Sequence, residues 1–250
     1  MTGHIRVNNL GRFMRFENEH LIRQDFSGET VAAFRVRGSR FESCDFSGIR
    51  AKEVSFSLGD LHSEYVDCVF DRARIGGAFA GDALFERCSF RDVSIKGWIA
   101  TMTELVDCTF SGEIKDSILF GAGSPHENAA AGRDRNRFTG NDFTETRLSG
   151  VAFKGGIDLG LQRLPRGPEY VYVAHGEQAV EAASIEVQSW DAKIRADAEF
   201  FLKLQRDILR TGQRQLFYEV DHRPGFRDAQ AAVTEIMRSV DARLSASDPH

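Results

Sequence analysis

No apolar run in this 250-residue chain approaches the roughly 20 residues that span a bilayer, which excludes a transmembrane helix. The first twenty residues hold basic side chains but no apolar core of about 7–15 residues, so they do not read as a secretory signal. A cationic excess is missing too. Lys and Arg number 32 against 37 Asp and Glu, a formal net charge of −5, which argues against general binding to a phosphate backbone. The chain is therefore expected to be cytoplasmic, where its four cysteines stay reduced. No two cysteines form a CxxC pair, and none of the seven histidines (4, 20, 62, 126, 175, 222 and 250) lies at metal-ligand spacing from another His or Cys. GxSxG, GxxxxGK[ST], HExxH and GxGxxG are all absent. Residues 121–125 (GAGSP) make a poor phosphate loop, because no helix is expected to follow immediately. His175, the one candidate base, reads as a turn histidine. No catalytic residue, cofactor or metal is predicted, and the chain does not read as an enzyme.

What is abundant is Phe, with 20 residues against 4 Tyr and 2 Trp. Steps of five from Phe16 meet Leu21, Phe26, Val31, Val36, Phe41, Phe46, Ala51, Phe56 and Leu61, all apolar. In a chain with 42% apolar residues, ten hits in a row have a chance probability on the order of 10⁻⁴. A second phase runs Tyr65, Phe70, Ile75, Ala80, Phe85, Phe90, Ile95, Ala100, Leu105 and Phe110. It fails at Lys115, where Ile114 is the better occupant, and resumes at Phe120. A third gives Phe138, Phe143, Leu148 and Phe153. A period of five fits neither an α-helix nor an ordinary strand. A longer period is nested within it. Gln24-Asp25-Phe26-Ser27-Gly28, Cys44-Asp45-Phe46-Ser47-Gly48, Cys68-Val69-Phe70, Cys88-Ser89-Phe90, Cys108-Thr109-Phe110 and Asn141-Asp142-Phe143-Thr144 recur at intervals of 20, 24, 20, 20 and 33 residues. The unit is four pentapeptides, with insertions of about 4 residues within 57–64 and about 13 within 121–137.

In spacing, and in motifs such as Gln24-Asp25-Phe26-Ser27-Gly28 and Cys44-Asp45-Phe46-Ser47-Gly48, residues 16–155 resemble the pentapeptide-repeat proteins. Val69, Phe79, Leu84 and Ile99 depart from that family's polar position before the central apolar residue. The resemblance implies a mainly β fold: a right-handed quadrilateral β-helix, a pentapeptide-repeat solenoid, here followed by an α-helical C-terminal region. Some members of the family imitate a DNA duplex, bind DNA gyrase or topoisomerase IV, and confer antibiotic resistance or self-immunity. A type II topoisomerase is thus an implied partner. Residues 16–153 hold 22 acidic and 16 basic residues, a net of −6, which is weak for a DNA mimic.

One inward residue in five and four sides per turn give four columns. Column one stacks Phe26, Phe46, Phe70, Phe90, Phe110 and Phe143. Column two stacks Val31, Ala51, Ile75, Ile95 and Ile114; column three Val36, Phe56, Ala80, Ala100 and Phe120; column four Phe41, Tyr65, Phe85, Leu105 and Phe138. Cys44, Cys68, Cys88 and Cys108 each stand two residues before a column-one Phe, an inward ladder continued by Asn141 and read as small side chains filling a corner. Outward residues beside column two (Arg50, Lys52, Arg74, Lys96, Lys115) predict a basic stripe, and those beside column four (Glu42, Glu64, Asp67, Glu86, Glu104, Asp107) an acidic one. Leu58, Phe79, Ile99, Met102 and Leu119 are read as outward beside column three, with Trp98 at the nearby corner. That much apolar surface requires a cover.

The domains are expected at 1–160, the β-helix, and at 161–250, a linker marked by Pro165 and Pro168 followed by amphipathic helices. The 121–137 insertion reads as a projecting mobile loop whose Glu127, Arg133, Asp134 and Arg135 are candidate partner contacts. Tyr170–Val173 suggests a strand. Helical spacing runs from Val180 to Ile208, with a break near Ser184 or Ser189 and a C-cap at Gly212, and a last helix carries Phe226, Ala229, Val233, Ile236, Val240 and Leu244 on one face. Asp221-His222-Arg223-Pro224-Gly225 reads as a turn. Trp190, Ile194, Phe201, Leu204 and Ile208 are expected to fold back onto the column-three face, with homodimerisation as the rival. The functional expectation is a non-enzymatic protein-binding or scaffold rod, with a gyrase- or topoisomerase IV-binding DNA mimic as the alternative and an enzyme with an unrecognised C-terminal catalytic region as the remote one.

Overall fold

The computed structural model describes residues 5–8, 11–59, 61–220 and 226–247, so the expected turn at 221–225 lies outside the described residues. The chain divides into two units. The first holds the coils up to Val151 together with Ile157–Pro165, and the second holds Ala152–Gly156 and the chain from Arg166 onward.

The first unit is a four-sided β-solenoid of stacked, parallel coils. Each pentapeptide supplies a central inward side chain and one corner, and most supply a second buried side chain two residues before the central one, as at Cys44, Val54, Ala73 and Ala83. The corner after column four is made by Arg23, Ser43, Asp67, Arg87 and Asp107, with φ between 51° and 53°, and by Gly140 at 69°. A left-handed backbone is uncommon away from glycine. Here it recurs because it turns the chain by one side while keeping every inward residue in register. Successive coils pair as Phe41↔Tyr65, Tyr65↔Phe85, Phe85↔Leu105 and Leu105↔Phe138. Column two pairs as Val31↔Ala51, Ala51↔Ile75, Ile75↔Ile95 and Ile95↔Ile114. At the N-terminal end the strand Ile5–Asn8 pairs antiparallel with Gly11–Glu17.

Coil stacking imposes the ring geometry. Phe46–Phe70, Phe70–Phe90, Phe90–Phe110 and Phe110–Phe143 lie face to face at 4.9, 4.8, 4.8 and 4.5 Å, with interplanar angles of 4–10°. Those distances are the interstrand spacing of a sheet. Parallel stacking is not the arrangement aromatic rings prefer, and edge-on contacts between columns offset it. Phe56 meets Phe85 at 87° and Phe46 meets Tyr65 at 66°. The Tyr65 hydroxyl donates to the Phe56 carbonyl at 2.9 Å, and burial pushes its pKa well above the usual tyrosine range.

Column three differs from expectation in its last coil. Ala100 pairs with Leu119, so Leu119 is the inward residue, with no exposed surface, and Phe120 is half-buried. The cause is the register shift between Phe90/Val93 and Phe110/Gly112, which leaves the last coil one residue shorter. Gly112, at φ 92°, makes that shortcut: a Cβ there would come within 2.3 Å of the Val93 carbonyl oxygen. Trp98 also differs. It points inward and is 1% exposed, with its ring near Phe56, Phe85, Phe90 and Phe110.

The second unit builds its own core. Tyr170–Val173 pairs antiparallel with Leu216–Glu219. Helices α2 (Gly176–Glu186), α3 (Ala192–Leu209) and α4 (Phe226–Ser247) bury Val180, Ala183, Phe201, Leu202, Ala229, Val233, Met237 and Val240 against Val171, Val173 and Leu216. The helix break falls at Val187–Ser189, and Asp191, rather than a serine, caps α3 by accepting from the Lys193 N–H at 3.0 Å. Gly212 follows α3 at φ 88°, its N–H on the Leu209 carbonyl at 2.9 Å. Phe153 belongs to this unit and packs edge-on to Phe217 at 6.0 Å. The residues expected to face the column-three side are mostly engaged inside the helical unit. Phe201 is buried within the helices' own core, Trp190, Ile194 and Ile208 pack on that core, and only Leu204, 42% exposed, remains at the surface.

Candidate protein-interaction face

The cysteine corner is a built ladder. From Cys44 onward, each side chain two residues before a column-one Phe donates to the carbonyl of the column-four residue one coil back, whereas Gln24, before Phe26, donates to the Ile22 carbonyl at 3.0 Å. The Sγ atoms of Cys44, Cys68, Cys88 and Cys108 reach the oxygens of Leu21, Phe41, Tyr65 and Phe85 at 3.4, 3.5, 3.2 and 3.4 Å. Asn141 Nδ2 does the same to Leu105 at 2.8 Å, and Gln162 Nε2 to Phe138 at 2.8 Å. Gln162, which the periodicity did not reveal, closes the ladder from the segment that ends the rod. The four cysteines form no disulfide and are buried, and burial pushes the Cys88 thiol well above its usual range. A residue here must be small, inward and a donor, which explains why cysteine and amides share one row.

The acidic row beside column four is interrupted. Arg40 bonds Glu42 and Glu64, Arg87 bonds Asp67 at 2.8 Å and also Glu86, and Arg137 Nε bonds Glu104 at 2.8 Å. Glu104 is itself only 5% exposed. The Arg87 guanidinium holds the Asp67 carboxyl below the usual carboxylate range.

The 121–137 insertion is not a free loop. A helix, α1 (Pro125–Ala131), begins at Ser124 with a full capping box: Ser124 Oγ accepts from the Glu127 N–H at 3.3 Å, and Glu127 Oε2 accepts from the Ser124 N–H at 2.8 Å. A helix thus does follow residues 121–125, but its first turn is occupied by the chain's own carboxylate. Arg133 fastens the other end. Its Nη2 donates to Asp82 Oδ1 at 2.9 Å and to the Met102 carbonyl at 2.6 Å. His62 Nδ1 bonds the same Asp82 oxygen at 2.7 Å, so one carboxylate holds both insertions. Burial opposes ionisation of Asp82, but the bonds from His62 and Arg133 outweigh it and lower its pKa. Asn136 Nδ2 bonds the Thr101 and Phe120 carbonyls at 2.9 and 2.8 Å. Glu127 and Arg133 are therefore structural anchors, while Asp134 and Arg135 lie exposed in the following bend.

The predicted outward apolar residues separate into two classes. Met102 is 5% exposed, close under the chain at Gly123, and Leu119 is inward. Leu58 is half-buried. Phe79 and Ile99 are each 46% exposed and stand side by side on adjacent coils, with the half-buried Ile118 next in register. Phe79 also lines a recess of about 150 Å³ closed by Met102 and by His126 and Ala130 of α1. Sequence reasoning missed Asp82 and the α1 wall of that recess. The signal for α1 was present as Ser124-Pro125 with Glu127 three residues after the serine and Gly132 as the stop.

A second cavity, of about 1190 Å³, lies in the helical unit between α2 and the end of α3, lined among others by His175, Glu181, Arg206 and Arg210. His175 is tied to Asp241 through Nδ1 at 2.9 Å, and Ser184 Oγ donates to the Val180 carbonyl. Among the described residues no group of three or more His, Cys, Asp or Glu is placed to hold a metal ion, and no helix is long and apolar enough to cross a membrane.

The coil geometry, with a central inward residue every five, a buried companion two residues before it and four sides per coil, is that of a pentapeptide-repeat β-solenoid. No family model matches the chain and no curated protein matches it. Solved structures of QnrB1, a plasmid-mediated fluoroquinolone resistance protein, are similar to it. Two trypsin-treated forms share 16% and 17% identity and the full-length form 16%. Each alignment covers 60% of this chain and 77–81% of the other, with TM-scores of 0.25, 0.20 and 0.20.

Proposed function

We propose that this chain is a non-enzymatic scaffold that binds another protein through the Phe79–Ile99 strip and the recess beside α1. The observation that carries this reading is the paired 46% exposure of two large apolar side chains on neighbouring coils. Earlier coils carry Arg15, Arg35 and Ser55 in that row, so the apolar occupants are a local departure from a polar rule. A cluster of this kind on a rigid surface, with a recess for one anchoring side chain, suits a protein partner. A DNA-imitating rod acting on a type II topoisomerase is a weaker reading, because Arg40, Arg87 and Arg137 break the anionic row.

A photo-crosslinking side chain at position 99, compared with one at the exposed Glu145, tests the proposal in cells of origin. Position 99 should capture a defined protein that position 145 does not. Equal capture at both positions would sink the strip as a recognition face. A quinolone–gyrase supercoiling assay checks the other reading, and no protection is expected.

A further inference from the structure

The strip is flanked on one side by cations. The row that follows column two reads Lys52, Gly76, Lys96 and Lys115, with Lys96 and Lys115 directly in register. The row before column two adds Arg50 and Arg74, also in register. Between the lysines and the strip, Gly77 and Gly97 stack without side chains, so that a Cβ on Gly97 would meet only the Gly77 Cα at 3.9 Å. Arg50, Lys52 and Lys115 make no ion pair or side-chain hydrogen bond among the described residues, and Lys96 reaches Asp116 only at 3.9 Å with both ends exposed. The acids of this face stand in equally long, exposed pairs, Glu53 3.8 Å from Arg35 and Glu113 3.9 Å from Arg147, and Glu53 and Asp116 end the glycine row, so Lys52 and Lys115 are the lysines left without an acidic partner among the described residues.

We infer that the occupant of the strip is an amphipathic helix with an acidic flank, its apolar stripe over Phe79, Ile99 and Ile118 and its carboxylates toward Lys52, Lys96 and Lys115. This rests on the strip being the recognition face. A strand cannot be added there, because Ile99–Ala100 is already paired on both sides. A helix suits the spacing: residues three or four apart advance by about 4.5–6 Å, close to the coil repeat of about 4.8 Å. The bare glycines leave room for the helix backbone, and the uncompensated cations select the sign of the flank.

The test uses the full chain and two fluorescein-labelled synthetic helices of about 18 residues. Both carry the same leucine stripe; one has glutamates and the other lysines along one flank. Fluorescence anisotropy should show the glutamate helix binding at least about tenfold tighter than the lysine helix, with the gap closing in about 0.5 M salt. Lys96→Glu with Lys115→Glu should invert the preference, and Phe79→Ser with Ile99→Ser should weaken both helices. All four sites are exposed, so circular dichroism should be unchanged by these substitutions. Equal affinity for the two helices, no binding of either, or a preference that survives the charge reversal would overturn the acidic-flank inference. If the serine substitutions weaken both helices while charge has no influence, the strip reading stands and only the flank is wrong. If binding ignores the serine substitutions, the strip itself is wrong.

Discussion

The two units solve the same burial problem in opposite ways. In the rod, each core residue stacks on its equivalents one coil above and below, roughly twenty positions away in sequence, so Phe70 touches Phe46 and Phe90. In the helical unit, Phe201 meets Tyr218 at 5.2 Å and Phe226 at 6.3 Å, and its cluster draws on both strands and three helices at once. The rod is a chain of nearest-neighbour interfaces; the helical unit is a single cluster. A rod of that kind tolerates a residue gained or lost at a corner, as at Gly112, because the insult reaches only the adjacent coils.

The largest expected effects separate these two modes. Phe70→Ala and Phe201→Ala should each cost about 3–5 kcal/mol. Their footprints should differ. Hydrogen exchange should accelerate mainly in the coils beside Phe70 in the first variant, and across residues 170–247 in the second. Uniform acceleration through the whole rod in Phe70→Ala would break the nearest-neighbour account.

A somewhat smaller effect is expected at the rod's closing end. Asn141 accepts from the Cys108 N–H at 3.0 Å and donates to the Leu105 carbonyl and to Gln162. Asn141→Ala strands a buried donor and a buried acceptor, which should cost about 2–3 kcal/mol, read as a lower urea midpoint with unchanged slope.

The rod was readable because a one-in-five inward rule survives any choice of apolar letter; Phe26 through Phe143 fixed a column by spacing alone. The error at Leu119 came from returning to the old count at Phe120 across a coil that Gly112 had shortened, although the polar Lys115 beside Ile114 already marked the lost residue. The insertion was misjudged for another reason. Its Gly and Ala content suggested mobility, while the capping box at Ser124 and Glu127 and the anchor at Arg133 depend on single side chains. The binding strip was only partly legible. Sequence placed Phe79 and Ile99 outward, but Met102, Leu119 and Trp98 are apolar too, and only the fold shows which of them a coil or α1 covers.

Asp82 joins the two insertions, so its loss should loosen them without unfolding the coils. Asp82→Asn should cost about 1–2 kcal/mol and make residues 121–137 sensitive to protease. Acid should imitate the substitution. The bonds from His62 and Arg133 lower the folded pKa of Asp82, below an unfolded value of about 3.9. Its contribution is thus complete above about pH 4 and is lost as the pH falls through the lowered folded value. Protease sensitivity of 121–137 appearing first near neutral pH would assign the clasp to a different group.

The smallest effect belongs to the cysteine ladder, and it sharpens the contrast with Asn141 one step along the same row. Cys88 Sγ reaches the Tyr65 carbonyl at 3.2 Å, but a thiol is a weak donor. Cys88→Ala therefore removes little hydrogen-bond energy and leaves a cavity of one sulfur, at a cost of about 1 kcal/mol or less. Cys88→Ser keeps a stronger donor on a shorter bond, and should fall between Ala and wild type if donation to the carbonyl is what the row requires. If burial of sulfur matters more, Ser should be the worse of the two. Thiol labelling provides the independent check. All four cysteines are buried, so the native protein should react slowly and the denatured protein fast, and Asn141→Ala should expose Cys108 before Cys44 because only Cys108 lies against the damaged rung.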